Sequence, residues 1–318
     1  MPVLESVPNV SEGRELAVVE RIGAAFATAG VSRLDTHVDR DHHRSVFTLI
    51  GPVSALVDAL VAGIGQAARE IDLERHAGVH PRVGAADAVP IVPLRTDDLP
   101  TAHSAALAVA RRVGDELELP VFLYGALAGG VRPAFYRRGG VVELARRVST
   151  GELVPAHGPA TVGPHAGAVL VGVRQPLVAY NLVVGGGVAA AREIAAAVRE
   201  SSGGLPGVQA LGLGLPDGRA QVSTNVVDLD ATPPHVLTER IASEAARRCV
   251  EVGAGELVGL LFASVVERAA RAAGDAHPLA DDGLPTEGAL ELTAAALRLE
   301  QLEPNRVLEW HLARLGQP

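Results

Sequence analysis

Between Leu177 and Phe262 the apolar pattern changes period in an order that few folds accept. Leu177 to Val184 is strand-like and Val188 to Glu200 has helical spacing. Val208 to Leu215 and Ala220 to Leu229 are strands flanking Asp217-Gly218, a strong hairpin signal. Pro233-Pro234 leads into a helix ending near Val252, and Leu257 to Phe262 closes the set. Strand, helix, hairpin, helix, strand is the order of a split βαβ unit of the ferredoxin-like type.

The first half follows much the same order with additions. Leu4 to Val10 reads as a strand, and Glu15 to Ala29 as a helix with Leu16, Val19, Ile22 and Phe26 on one face. Val31 to Val38 and Ser45 to Ile50 are extended, and Pro52 opens a helix over Leu56 to Ile71. Ala88 to Val92 is a strand, Pro100 to Leu117 a helix and Val121 to Tyr124 a buried strand. Gly129 to Gly163 is dense in glycine and proline and reads as irregular, with one short helix at Val141 to Val148. Ala263 to Gly274 continues helically, Asp275 to Glu287 reads as a mobile loop, and Ala289 to Glu300 is a terminal helix. The expected architecture is α+β, in two subdomains, residues 1–176 and 177–318.

Composition then removes whole classes of chemistry. All 28 basic residues are arginine. Without lysine there is no Schiff base, no P-loop lysine and no kinase lysine. The single cysteine, Cys249, forms no intrachain disulfide and no thiolate-rich zinc site, which fits a reducing cytoplasm. Met1 to Arg14 lacks the pattern of a secretory signal, and the uncharged run Leu153 to Val173 holds three prolines and two histidines, a poor membrane span. A net charge of −9 and 3% aromatics argue against nucleic acid as a partner.

The densest chemistry is Arg75 to Asp87, RHAGVHPRVGAAD. His76 and His80 have the spacing of a metal pair on a helix, but Gly78 and Pro81 disfavour a helix there, and no carboxylate or cysteine completes a ligand shell. A loop histidine suits acid–base work, since its ordinary pKa lets it take and return a proton near neutrality. Asp87 would orient it or hold a cation. A second polar cluster, Asp35 to Arg44, presents Arg44 at a strand entry to an acidic substrate. Gly185-Gly186-Gly187-Val188-Ala189-Ala190 fits the dinucleotide fingerprint G-x-G-x-x-A, but a hairpin follows where a parallel βαβ run is needed.

Taken together these motifs resemble the glutamate formimidoyltransferases, the transferase part of formimidoyltransferase-cyclodeaminase. Glu5 to Arg14 resembles that family's opening. His76 to Asp87 matches its signature, His-x-Gly-x-His-Pro-Arg-x-Gly-Ala-x-Asp, followed by Pro90 and Pro93. Pro120 to Gly125, Gly158-Pro159, Gln221 to Asn225, Leu257 to Leu260 and Asn305 to Trp310 follow in family order. The resemblance implies two ferredoxin-like subdomains packed face to face around a substrate channel, in a stand-alone, cytoplasmic, homodimeric enzyme of histidine degradation. It implies formimino transfer from N-formiminoglutamate to tetrahydrofolate as co-substrate, with no metal and no tightly bound cofactor. It places catalysis on His80 and substrate binding on Asn9, Arg44, Arg82, Asp87 and Tyr124. Folate binding falls on Gly158, Pro159, Ala160, Thr161, Val162, Gly163, Pro164, His165, Ala166 and Gly167.

The chain departs from the family at Ser6 (usually cysteine), Val10 (phenylalanine), His43 (asparagine) and His37 (aspartate in some members). Ala166 stands where some members have tryptophan, and Leu205-Pro206-Gly207 replaces a lysine-bearing stretch. Other readings are a formiminoglycine or formyl-donor transferase, a folate or acidic-ligand binding protein without turnover, and a metal-dependent hydrolase on the histidine cluster.

Overall fold

A computed structural model describes residues 2–316; Met1, Gln317 and Pro318 lie outside the described residues. The chain divides into two compact units that meet in sequence at Pro176 and Leu177.

The first unit begins with β1 (Val3–Ser6) and β2 (Asn9–Val10), which share one lane of the sheet. The single strand expected over Leu4 to Val10 is thus broken at Val7-Pro8. Proline has no N–H for the ladder, although the Pro8 carbonyl still accepts from the Phe47 amide at 3.1 Å. There follow α1 (Leu16–Phe26), β3 (Ser32–Asp39), β4 (Arg44–Pro52), α2 (Val53–Glu70) and β5 (Ala86–Pro93). The lane order β3-β4-β1/β2-β5, antiparallel throughout, is that of a split βαβ unit. Next come α3 (Leu99–Glu116), β6 (Val121–Gly125), α4 (Pro133–Arg137), α5 (Gly140–Ser149) and β7 (Val169–Val173). β7 joins β5 in parallel and β6 joins β7, which extends the sheet by two lanes.

Leu56, Leu60 and Ile64 of α2 and Val109 and Val113 of α3 pack with Val19, Ile22 and Phe26 of α1 on one face of this sheet. On the opposite face Tyr136, Leu144 and Val148 of the α4–α5 pair cover Phe122, Tyr124 and Leu170. Two further contacts fix that pair. Tyr136 donates to the Leu123 carbonyl at 2.9 Å, and the buried Arg147 donates to the Phe135 carbonyl at 2.9 Å while lying 4.5 Å over the Phe135 ring. α4 falls in the stretch expected to be irregular, and β7, just beyond that stretch, was not expected as a strand. The glycines of Gly158 to Gly167 conceal the apolar run that follows them, and α4 has five residues, too few to show a period.

The second unit runs β8 (Val178–Val184), α6 (Gly187–Val198), β9 (Val208–Gly214), β10 (Ala220–Val226), α7 (Pro234–Ala246) and β11 (Val252–Val258). The sheet order β11-β8-β10-β9, all antiparallel, is the ferredoxin-like arrangement read from the sequence. The hairpin turns at Gly218, φ +86°, with the Asp217 carboxylate accepting from the Arg219 amide at 3.0 Å. Gly186 and Gly187 both have positive φ and make the tight turn into α6, and the sheet beside them is not a nucleotide-binding one.

The largest differences in boundary from expectation fall at α7 and β11. α7 stops at Ala246 because the chain turns at Cys249, φ +55°. β11 therefore occupies Val252–Val258, five residues before the expected start, and its glycines hide the strand pattern. After it come α8 (Ala263–Ala272), α9 (Glu287–Ala296) and α10 (Leu308–Arg314), the last not expected as a helix. The Asp275 to Glu287 loop closes on itself through Ala280 N to Leu284 O at 2.9 Å and Thr286 N to Pro278 O at 2.9 Å. Among the described residues no helix is long and apolar enough to cross a membrane.

Candidate active site

The segment Arg75 to Ala85 has no regular structure after a short turn at Leu73–Arg75, so His76 and His80 do stand on a loop. The loop lies directly on the turn between β3 and β4. A Cβ on Gly78 would come 2.3 Å from the His42 carbonyl, so only glycine permits that approach. Arg82 fastens the loop from within. Its guanidinium donates to the carbonyls of His42 (3.3 Å), Gly78 (3.0 Å) and His80, and to His76 Nδ1 at 2.6 Å. Arg14 adds a bond to the Ala77 carbonyl at 2.6 Å, and Ser11 donates to the Gly84 carbonyl at 2.7 Å.

These contacts assign protons. His76 Nε2 faces the His43 carbonyl at 2.8 Å and must donate, so Nδ1 accepts from Arg82 and the ring is neutral. Burial first, then the Arg82 charge, takes His76 down to about 4. His43 stacks on it at 3.9 Å and meets the Glu12 carboxylate at 3.0 Å. His80 Nε2 lies 2.9 Å from Arg44 Nη1 and accepts from it, which leaves the proton on Nδ1. Burial, reinforced by the charges of Arg44, Arg137, His42 and Arg82, holds His80 well below the ordinary histidine range. His42, its ring 5.8 Å from that of His80, is held through Nδ1 by Asp39 at 2.6 Å.

Asp87 does not touch His80. One oxygen accepts from the Val83 amide at 2.7 Å and the other pairs with Arg137 Nη2 at 2.5 Å, so of the two expected roles it takes the cationic one. Arg44, Arg82 and Asp87 do gather around His80. Arg82 is occupied with holding the loop, whereas Arg44 addresses the imidazole itself. Asn9 turns onto the Val7 carbonyl at 2.9 Å, on a strand paired with Val46 and Ala88. Tyr124 is buried, packed against Gly172, and burial lifts its hydroxyl to about 12.

The Gly158 to Gly167 segment is stitched to the His80 loop at its far end. Ala85 N donates to Ala166 O at 2.9 Å, and Gly84 bridges Gly167. Its near end, Gly158, packs on Gly114 of α3 and the Leu119 carbonyl. Thr161, Gly163 and Pro164 are exposed, and His165 is engaged by Asp72 at 2.9 Å. Sequence reasoning missed Glu12, Arg14, His42 and Arg137 as parts of the cluster. The first two lay in the opening motif and the third in the polar cluster, but nothing marked Arg137. With both His76 nitrogens engaged and His80 Nε2 facing a guanidinium, this pair offers a cation no ready ligand set.

The first unit matches the model of the formiminotransferase domain, N-terminal subdomain, over residues 3–174. The second matches that of the formiminotransferase domain over 179–304. The chain belongs to the formiminotransferase family. It is 37% identical over 272 residues to a glutamate formimidoyltransferase of Thermoplasma acidophilum, covering 82% of this chain and 88% of that one. A Streptococcus pyogenes relative of the same name is 35% identical, covering 81% and 88%. The formimidoyltransferase-cyclodeaminase of Gallus gallus is 33% identical over 99% of this chain and 60% of its own length. In formiminotransferase terms, the cluster just described is built wholly within the N-terminal subdomain.

Proposed function

We propose that this protein transfers the formimino group of N-formiminoglutamate to N5 of tetrahydrofolate, with His80 as the acid–base group, as a step of histidine degradation and one-carbon metabolism. The similarity to glutamate formimidoyltransferases over more than four-fifths of the chain carries the reaction. The neutral imidazole of His80, with its lone pair on Nε2, supports the role.

In this reading the N5 amine attacks the amidine carbon, and the N5 proton passes to His80. The resulting tetrahedral centre carries both nitrogens. His80 returns the proton to the glutamate nitrogen, the carbon–nitrogen bond to glutamate breaks, and glutamate leaves with the formimino group on N5. No electron acceptor or bound cofactor is needed. The loop segment Gly158 to Gly167, fixed to the His80 loop through Ala166 and Gly167, would present the folate.

Steady-state transfer from formiminoglutamate to tetrahydrofolate tests the reaction, and His80→Ala tests the role. Turnover is expected in the wild type, with kcat lower by about 10²- to 10⁴-fold in the variant. A wild type that forms no 5-formimidoyltetrahydrofolate refutes the reaction. A variant with near-normal kcat refutes the role.

A further inference from the structure

His80 carries a contradiction as the base of this site. The nitrogen that must take the proton, Nε2, is already occupied by a hydrogen bond from Arg44 at 2.9 Å. A guanidinium is a permanent donor, so while it stays there the lone pair is capped. Beside it sits a second guanidinium with unused capacity. Arg137 of α4 is anchored to Asp87 through Nη2 at 2.5 Å, and its Nε is buried with no hydrogen-bond partner among the described residues. The groups acting on the imidazole are Arg44 from β4, Arg137 from α4, His42 from the β3–β4 turn and Arg82 from its own loop. Asp87 of β5 acts on Arg44, Arg82 and the hydroxyl of Tyr124 in turn. Asp39 of β3 acts on Arg44 as well, but it is already engaged by His42 Nδ1 at 2.6 Å, so three guanidinium charges face Asp87 and a carboxylate that is itself shared. Each guanidinium lowers the tendency of a neighbour to hold charge: Arg137 acts on Arg44, and on Arg82 as well. That surplus is what a carboxylate ligand would relieve.

We infer that Arg137 and Arg44 form the seat for a carboxylate of the donor, and that its arrival draws Arg44 off His80 Nε2 and so uncaps the base. This rests on the reaction proposed above and goes beyond it in naming Arg137 as a positioning residue for the donor and the donor as the activator of His80. Seating a carboxylate does two things at once. It gives Arg44 a stronger, charge-assisted partner than a neutral imidazole. It also cancels part of the positive field that disfavours an imidazolium, so His80 can now hold the proton it must carry between the two nitrogens. Before the donor binds, the same field keeps the histidine neutral and capped. Attack on a stray electrophile is disfavoured in that state.

The test is an NMR titration of the His80 imidazole in the wild-type protein, alone and with saturating glutarate, a dicarboxylate with no transferable group. Arg137→Gln and Arg137→Lys follow in the same titration and in steady-state kinetics. Glutarate is expected to raise the His80 midpoint by at least one pH unit in the wild type. It should raise it by less than half as much in Arg137→Gln, whose donor KM rises at least tenfold while the tetrahydrofolate KM stays within twofold. Arg137→Lys, which keeps a charge opposite Asp87, should recover part of the shift. Glutarate binding with an unmoved His80 midpoint overturns the inference. So does an Arg137→Gln protein that folds, binds glutarate as the wild type does and keeps its donor KM. Wild-type transfer activity is measured alongside. Turnover without the midpoint shift sinks this inference alone, and a midpoint shift without transfer sinks the proposed reaction while the carboxylate seat stands.

Discussion

Arg82 and Gly84 show how individual residues hold the site. Arg82 reaches three carbonyls and the His76 ring with one planar group, a geometry a lysine ammonium cannot reproduce. Arg82→Lys should lower unfolding stability by about 1–3 kcal/mol in urea melts, because two or more loop acceptors lose a donor. A variant as stable as the wild type would show that the loop does not depend on that fork. Gly84 is constrained by space alone, since an added Cβ would fall 2.0 Å from the Ala168 carbonyl. Gly84→Ala should therefore cost about 1–3 kcal/mol by forcing apart the His80 loop and the chain entering β7. Gly163→Ala, in the same neighbourhood with nothing within 4 Å, should stay within about 0.5 kcal/mol of the wild type. Equal melts for the two alanine variants would contradict the packing described here. The loop placement of His76 and His80 was readable from Gly78 and Pro81, and Arg44 from its place at a strand entry, whereas singling out His80 rested on the family resemblance. Arg137 was not readable. Its place depends on how Tyr136 and Arg147 lay a five-residue helix over β6 and β7, which no local pattern encodes.

At the scale of elements, the β3–β4 turn and the His80 loop form one block held by neutral histidines. His76 is depressed from 6.5 to about 4, and His43 and His80 are depressed as well, each chiefly by burial. A depressed folded-state pKa means that the unfolded chain binds the proton more readily. The stabilisation is whole above pH 6.5 and drains as pH falls toward about 4. Asp39, lowered to about 2 by His42, resists far longer, since its share is lost only below 3.8. Stability should thus fall between pH 6.5 and 4, the buried histidines leading and the glutamates lowered from 4.5, Glu12 among them, joining toward the acid end. Urea melts across that range, with His76→Asn as comparison, check this. The variant should show a shallower decline, and identical slopes would remove His76 from the account. The two strands that were missed or misplaced share a cause. β7 follows a glycine-rich loop, β11 contains two glycines, and in each the turn-forming residue obscures a period of two. The hairpin β9–β10 was readable although β9 holds two glycines of its own, because Asp217-Gly218 marks the turn between two apolar runs.

At the scale of the whole molecule the absence of lysine becomes a statement about the acceptor. The chain carries a net charge of −9, and every side-chain cation that is charged at all pH values of interest is an arginine. Many of those on the surface already face acids: Arg21 with Glu70, Arg112 with Asp58 and Glu116, Arg146 with Glu143 and Glu152, and Arg247 and Arg248 with Glu244. A folate tail lengthened by γ-glutamates adds one carboxylate per residue. To gain affinity it would have to meet free cations, and a surface pair contributes at most about 1 kcal/mol before screening. Against a negative mean field, pairs won by displacing an existing acid contribute still less. Tetrahydrofolate with one glutamate and with five should therefore give KM values within about fivefold of each other, a difference of no more than about 1 kcal/mol. Raising salt should move the two in parallel, because the extra carboxylates release few counter-charges from the protein. Tightening of a hundredfold or more along the series, lost on adding salt, would mean that arginines paired in this structure are recruited to the tail, and the charge argument would fail.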